Sequence, residues 1–385
     1  MVEKLVSWPV ISPEDKQAVM AVLDRGILSG PLAPEVRALE REFADYIGVK
    51  YCLATNSGTA ALHMALDALG VGPGDEVIVP AFTFVASAMA VLQQGARPVF
   101  VDIEDASWGL DPVCVRKAIT SKTRAIMPVH LHGMPCDMEA VLEIARKHDL
   151  PVLEDACQAP GAEYQGQKVG SFGRLGAFSL QSSKNLACGE GGLLVTNDEG
   201  CYRRAARFRM FGEAISGEDY DSERPLDLKR SYDSVGLGYM YRTNELSAAL
   251  ARSQLRKVDF WNQKAFKNAQ ILRAGLSGIV GFELPKEIEG RRSVYHKYRV
   301  RMPKSNLLSL FQRGKIVDLE SCQWQTKVVP EQIVFKNLGY DSTPFPRAKK
   351  LIEDSFCLFS HTHPLWAQSE EVCQQYTEII RNLLS

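Results

Sequence analysis

The stretch GAFSLQSSKNLACGEGGLLVT, residues 176–196, begins and ends on short apolar runs with a polar, glycine-rich loop between them. GAFSL (176–180) and GLLVT (192–196) are nearly continuous in apolar side chains, as strands covered on both faces must be. The segment between them holds Ser179, Gln181 and Lys184, then a glycine-rich turn with Glu190. A lysine here has two readings. It is either a solvated loop residue or a desolvated amine whose lowered pKa makes it nucleophilic.

Working outward, VIVP (77–80), RPVFVD (97–102), RAIMPVH (124–130) and PVLED (151–155) read as further strands of the same buried type. Helical segments separate them: 83–94 is apolar, and 137–148 is amphipathic with Met138, Val141, Leu142 and Ala145 on one face. Strand, helix, strand at this rhythm predicts an α/β protein with a mixed, mostly parallel sheet flanked by helices and joined by right-handed crossovers. Chemistry in such sheets sits at the carboxyl ends of the strands. Residues 213–233 are charged and aperiodic and read as a loop, while 245–276 returns to helical spacing. Beyond Ser277 come an alternating run at 293–302 and a terminal helix at 369–384. The change of texture predicts a large domain over 1–255 and a smaller α+β C-terminal domain over 256–385.

Composition narrows the classes. The 385 residues carry 45 basic and 46 acidic side chains, a net charge of −1 that argues against bulk capture of nucleic acid or anionic membrane. Val77 to Ala96 is the longest uncharged stretch, but Pro80, Thr83, Ser87, Gln93 and Gln94 interrupt it, so a strand and a helix explain it better than a membrane span. The nine cysteines form no C-x-x-C pair and no disulfide spacing, which predicts a reducing compartment. The opening MVEKLVSWPV has no apolar core of a signal peptide, so the expected location is cytoplasmic.

Two further stretches carry chemistry. In ATNSGTAALHMALDAL (54–69) a helix starts at Ser57-Gly58-Thr59, which is either a plain N-cap or an anion site built from free amides and the helix dipole. In PVLEDACQAPGA (151–162) Asp155 ends a buried strand, where its carboxylate either caps the following helix or meets a cationic partner, with Gln158 close behind. An anion site, an acid at a strand end and a desolvated lysine together suit pyridoxal 5'-phosphate (PLP).

On these motifs, together with LSGPLAPEVRALEREFADYIGVKY (28–51), GPGDEVIVPAFTFVAS (72–87), GARPVFVDI (95–103), LGYMYRTNELSAAL (237–250) and VYHKYRV (294–300), the chain resembles the DegT/DnrJ/StrS family of fold-type I, PLP-dependent aminotransferases. The resemblance implies that Lys184 is the Schiff-base lysine and proton shuttle. It implies that Asp155 pairs with the pyridine nitrogen, Gln158 faces the ring hydroxyl and Phe84 stacks on the cofactor. Gly58, Thr59 and Ser179 would cradle the phosphate, and Glu190 matches a structural glutamate. It further implies a ping-pong transfer from L-glutamate or L-glutamine to a keto sugar, carried as a sugar nucleotide, or to a keto cyclitol, passing through pyridoxamine 5'-phosphate. The active sites would lie at a homodimer interface. A regulatory protein that retains the fold is the reading from another class.

Two positions depart from the family pattern. Gln181 stands where sugar-acting members often have His, which tilts the acceptor toward a cyclitol or another unusual ring. Met240 stands where Asn usually reaches the partner subunit's cofactor phosphate, a contact methionine cannot make. The pairs His130/His132 and His361/His363 have metal-ligand spacing without a third ligand, so no metal is expected. Arg203, Arg204, Arg207 and Arg209 read as a solvated helix face, and residues 295–298 as an exposed strand face.

Overall fold

The computed structural model describes residues 4–30, 33–213, 233–303, 320–340 and 344–384, so most of the charged 213–233 stretch lies outside the described residues. Two helices come first, α1 (Pro13–Arg25) and α2 (Pro34–Ile47). The sheet region follows as β1 (Tyr51–Thr55), α3 (Gly58–Ala68), β2 (Glu76–Pro80), α4 (Ala86–Gln93), β3 (Arg97–Val101), α5 (Pro112–Ala118), β4 (Thr123–Ile126), α6 (Met138–Lys147) and β5 (Leu153–Asp155). It continues through the short β6 (Glu163–Tyr164) and β7 (Gln167–Lys168) to β8 (Leu175–Ser179), β9 (Gly192–Thr196) and α7 (Glu199–Phe208).

Strands β3, β2 and β4 pair in that order, and β5, β8, β9 and β1 pair in that order. Single parallel bridges from Ile126 to Val152 and from Val129 to Asp155 join the two sets into one sheet. Only β9 runs against its neighbours, pairing antiparallel with β8 and β1, while β2, β3, β4, β5 and β8 pair in parallel. This is the mostly parallel α/β sheet that the sequence predicts. The run 124–130 pairs as regular strand only to Ile126, because Pro128 brings no N–H to a ladder. Strand β1 was not read from the sequence. Four of its five residues are buried, yet Leu53 is its only large aliphatic side chain.

The 77–96 stretch is β2 followed by α4. Among the described residues no helix is long and apolar enough to cross a membrane. The 245–276 region is two helices, α8 (Glu245–Leu255) and α9 (Val258–Leu276), broken at Arg256–Lys257. After them come β10 (Arg291–Arg292), β11 (Tyr298–Arg301), β12 (Ser321–Cys322), α10 (Ile333–Asn337), α11 (Pro346–Glu353), β13 (Ser355–Leu358) and α12 (Glu370–Leu384). Strands β11, β13 and β12 form a small antiparallel sheet. Its apolar side joins α9 and α12 in a core with Tyr298, Val300, Phe356, Trp366 and Tyr376, and Trp8 is packed into that same core. The expectation of an exposed face at 295–298 is wrong: Tyr295, His296, Lys297 and Tyr298 are all buried.

Helix α2 begins after Ala33, which has no side chain to cap it. Its exposed first-turn amides are met instead by Glu245, at the start of α8. The fully buried Glu245 carboxylate accepts from Glu35 N–H at 2.9 Å, Val36 N–H at 2.8 Å and Arg25 Nη2 at 3.1 Å. A remote carboxylate thus does the work of an N-cap and favours the positive end of the helix dipole. Glu245→Ala strands two amides and a guanidinium, and we expect a loss of about 2–4 kcal/mol. In urea unfolding this appears as a lower midpoint at unchanged slope, with Glu245→Gln recovering part of it.

Candidate active site

Asp155 is the last residue of β5, Ser179 the last of β8, and the start of α3 lies against both β8 and β9. The sequence-predicted residues therefore gather at the carboxyl edge of the sheet. Two glycines permit the approach of α3. A Cβ on Gly58 would lie 2.8 Å from both Cys157 Sγ and Ser179 Cβ, and one on Gly192 would lie 2.3 Å from the Ser57 carbonyl oxygen. Ser57 caps the helix by accepting from Ala60 N–H at 3.1 Å, which is the plain N-cap reading of this helix start. The amides of Gly58 and Thr59 have no i−4 carbonyl within the helix, and Gly58 itself lies against Ser179. Glu190 is exposed on the preceding turn, so in this block the close packing belongs to the glycine.

The Asp155 carboxylate is buried and held by hydrogen bonds. Ser87 Oγ donates to Oδ2 at 2.7 Å and Cys157 N–H donates to Oδ1 at 3.2 Å. Since the Ser87 proton goes to Asp155, the Thr83 hydroxyl donates to Ser87 at 2.9 Å, and Gln325 Nε2 closes the chain on the Thr83 carbonyl. Two donors reach the carboxylate, and the Thr83 hydroxyl behind Ser87 fixes the direction of one of them. Phe84, between Thr83 and Ser87, is 54% exposed and lines a cleft with Trp324, Gln325 and Lys327.

Gln158 is buried and accepts from His132 N–H at 2.8 Å. His132 sits in the left-handed region (φ 56°) at the corner after β4. Arg299 Nε donates to its Nε2 at 3.1 Å. Burial, then the charges of Arg299, Lys297 and Lys184, push its pKa well below the usual histidine value and keep it neutral. The ring lies among Phe82, Trp108 and Trp324. His130 serves another network. Its Nδ1 accepts from Cys136 N–H at 3.1 Å and its Nε2 donates to Glu154 at 2.9 Å, so the two histidines do not converge on one ligand. His363 instead pairs with Glu320 at 2.7 Å.

Lys184 follows a loop that braces itself. Gln181 Oε1 accepts from Ser183 N–H at 2.8 Å and from the Ser183 hydroxyl at 2.6 Å, while Gln181 Nε2 donates to Ser182 Oγ at 2.9 Å. The amide is thereby engaged with its own loop. Trp8 Nε1 donates to the Lys184 carbonyl at 3.0 Å. The next residue, Asn185, donates to Asn262 Oδ1 at 3.1 Å and to the Val294 carbonyl at 3.0 Å. Desolvation chiefly holds the Lys184 ammonium below its ordinary pKa, Lys297 acts in the same sense, and Cys157 and Asp155 oppose it. His296, also buried, is kept neutral by desolvation and by the Lys184 and Lys297 charges.

Sequence reading missed Ser87, Thr83, Gln325, Lys297 and Arg299. It also placed the arginines of α7 too uniformly in solvent. Arg203 pairs with Glu199 and Arg204 with Asp67 on the surface, but Arg209 is buried and bonds Glu40 and the Ala54 carbonyl.

A desolvated amine, a buried carboxylate and an amide-lined notch in which no Cβ fits at Gly58 or Gly192 suit PLP, and the sheet with its single reversed strand is that of the fold-type I enzymes. A crystal structure of DesV from S. venezuelae, in complex with a ketimine intermediate, superposes with TM-score 0.86 at 32% identity, covering 98% of each chain. The sequence profile of the DegT/DnrJ/EryC1/StrS aminotransferase family matches residues 9–377. The chain belongs to this family and is a PLP-dependent aminotransferase. Relatives include a "pleiotropic regulatory protein" of Geobacillus stearothermophilus, 37% identical over 94% of this chain and 92% of that one. A dTDP-3-amino-3,4,6-trideoxy-alpha-D-glucose transaminase of Streptomyces venezuelae is 39% identical over 78% and 76% of the two chains. An L-glutamine:2-deoxy-scyllo-inosose aminotransferase of Streptomyces lividus is 38% identical over 78% and 71%.

The notch gives a direct test. Gly192→Ala forces a Cβ into the Ser57 backbone, where no side chain can yield, and we expect a cost of about 1–3 kcal/mol. Because α3 is what moves, PLP retention measured by dialysis and visible absorbance should fall with stability. Retention at the wild-type level would separate the notch from the cofactor.

Proposed function

We propose that this enzyme transfers an amino group from L-glutamate or L-glutamine to a keto sugar, carried as a sugar nucleotide, or to a keto cyclitol, in two half-reactions of a ping-pong cycle. The observation that carries the reading is the gathering of Lys184, Asp155, Gln158, Ser179 and the start of α3 at one sheet edge. Bound there, PLP supplies the electron sink that lets an amino acid release its α-proton. The amides of Gly58 and Thr59 and the Ser179 hydroxyl would hold the phosphate by hydrogen bonds and helix dipole. Asp155, whose carboxylate accepts from Ser87 Oγ and Cys157 N–H, would hold the proton on the pyridine nitrogen. Gln158 is positioned by His132 to face the ring hydroxyl, and Phe84 gives the ring an apolar face.

Lys184 would take the donor's α-proton on its Nζ and hold it for transfer. A depressed pKa leaves more of its amine uncharged near neutral pH, which is the form that accepts a proton. Such positioned proton transfer contributes about 10²–10⁴-fold. The name of the Geobacillus relative raises a regulatory reading for a chain of this fold, but the retained Lys184, Asp155 and Gln158 support catalysis. For the acceptor, the Streptomyces venezuelae relative supports a sugar nucleotide and the Streptomyces lividus relative a cyclitol. Gln181 does not decide between them, since its amide is engaged within its own loop. We expect Lys184→Ala to lose the visible absorbance of the PLP-loaded protein and to cut turnover by about 10⁴-fold or more. A variant keeping both would overturn the assignment. Amine formation across a panel of keto sugar nucleotides and keto cyclitols, with each donor, selects the substrate.

The active unit in this reading is a cytoplasmic homodimer. Val235, Leu237, Tyr239 and Met240 are 60%, 89%, 43% and 44% exposed, and Phe211 next to them is 51% exposed. An apolar strip of this kind calls for cover. Met240 extends its side chain outward while its carbonyl accepts from Asn56 Nδ2 at 3.3 Å. Light scattering after gel filtration should give twice the chain mass, and a stable active monomer would count against the interface.

A further inference from the structure

Buried polar groups in folded proteins find partners, and an exception calls for an explanation. Three such exceptions adjoin the candidate site. Lys297 Nζ, Arg299 Nη2 and His132 Nδ1 are all enclosed without a hydrogen-bond partner, on residues that are 5%, 0% and 2% exposed. They converge. In the small sheet Arg299 lies opposite Cys357, which in turn lies opposite Cys322, so these three side chains share one face. That face looks at the large sheet's edge. The Arg299 guanidinium lies 5.1 Å from the Phe82 ring, Arg299 Nε reaches His132, and Nη1 is fixed by Ser355 Oγ. Lys297 joins it: its backbone N–H donates to the His132 carbonyl at 3.4 Å, and it stands two residues before Arg299.

Two cationic side chains and a neutral imidazole thus meet where desolvation is severe. Their influence also reaches Lys184, whose amine is depressed partly by Lys297. Burial disfavours the charged form of Lys297 as well. An arrangement that weakens the fold at rest is stabilised by an anion brought in from outside. An amino acid whose nitrogen approaches Lys184 carries its carboxylate carbon two bonds from that nitrogen, and the cluster is tied to the lysine loop through His296 Nδ1 and Asn185 Oδ1 at 3.3 Å.

We propose that Lys297, Arg299 and His132 form a carboxylate-binding subsite beside Lys184, taking the carboxylate of a substrate. The inference rests on Lys184 being the reacting amine. Lys297→Met, which preserves length and removes charge, tests it in the PLP-loaded protein. Without substrate, the variant should unfold at the same or a higher temperature than wild type, since an unpartnered buried amine is lost. A lower unfolding temperature would mean that Lys297 holds the fold, and would overturn the subsite. With L-glutamate, the half-reaction followed by loss of visible absorbance should show a KM raised by about tenfold to a hundredfold, with its limiting rate changed far less. Lys297→Arg should restore part of the affinity.

Succinate and benzoate, as unreactive probes, distinguish the source of the carboxylate. Weakened succinate competition together with the raised glutamate KM assigns the subsite to the donor. Weakened benzoate binding with an unchanged glutamate KM assigns it to a carboxylated acceptor. If neither probe binds wild type in calorimetry and the glutamate KM is unchanged in Lys297→Met, the proposal is wrong. Calorimetry on the PLP-free protein keeps this outcome separate from failure of the Lys184 assignment, which shows as a Lys184→Ala protein with unchanged absorbance.

Discussion

One backbone contact governs the rest: the Ser57 carbonyl and Gly58 pressed against Gly192 and Ser179. Side chains are absent at both glycines, so α3 reaches the sheet edge more closely than any other residue type would allow. That approach fixes where its first amides sit relative to the ends of β8 and β5. It also explains why the reversed strand β9 belongs in the design. By returning along β8, it delivers Gly192 to the same edge that the parallel strands deliver Asp155 and Ser179.

Around this fixed notch the electrostatics are divided. On the Asp155 side the carboxylate accepts from Cys157 N–H and from Ser87, which Thr83 backs. On the Lys297 and Arg299 side donors outnumber acceptors, and three of them are left without partners. The two sides act on the Lys184 amine in opposite senses, Lys297 lowering its pKa and Asp155 raising it. Specificity for a charged ligand is easiest to build where the protein has left its own polar groups incomplete.

The legible parts of the site were those whose partners lie nearby in sequence or whose backbone needs are local. Gly58 and Ser57 are readable because a cap and a close approach have a signature of their own, and Asp155 because a carboxylate ending a buried strand must be explained. Lys184 was ambiguous alone and gained meaning only beside the other two. By contrast, Ser87 and Gln325 act through partners 68 and 242 residues away, separations that no periodicity reports. The alternating 293–302 run suggested an exposed face at 295–298, whereas Lys297 is buried there, and Arg299 just beyond was not singled out at all. Gln181 was singled out by comparison with a family pattern, and its engagement with Ser182 and Ser183 depends on a loop conformation that sequence spacing does not encode.

Trp8 ties these themes to the order in which the chain is made. Its indole holds the Lys184 carbonyl, its amide donates to the Thr362 carbonyl at 2.8 Å, and Val6 exchanges hydrogen bonds with Gln368. Residues around position 8 therefore wait for residues near position 365 before either can settle against the lysine loop. During translation at about 5–20 residues per second, the sheet can assemble while that loop is still loosely held. The loop then takes its final form only after the chain has passed position 368, long after the strands on either side of it have been made.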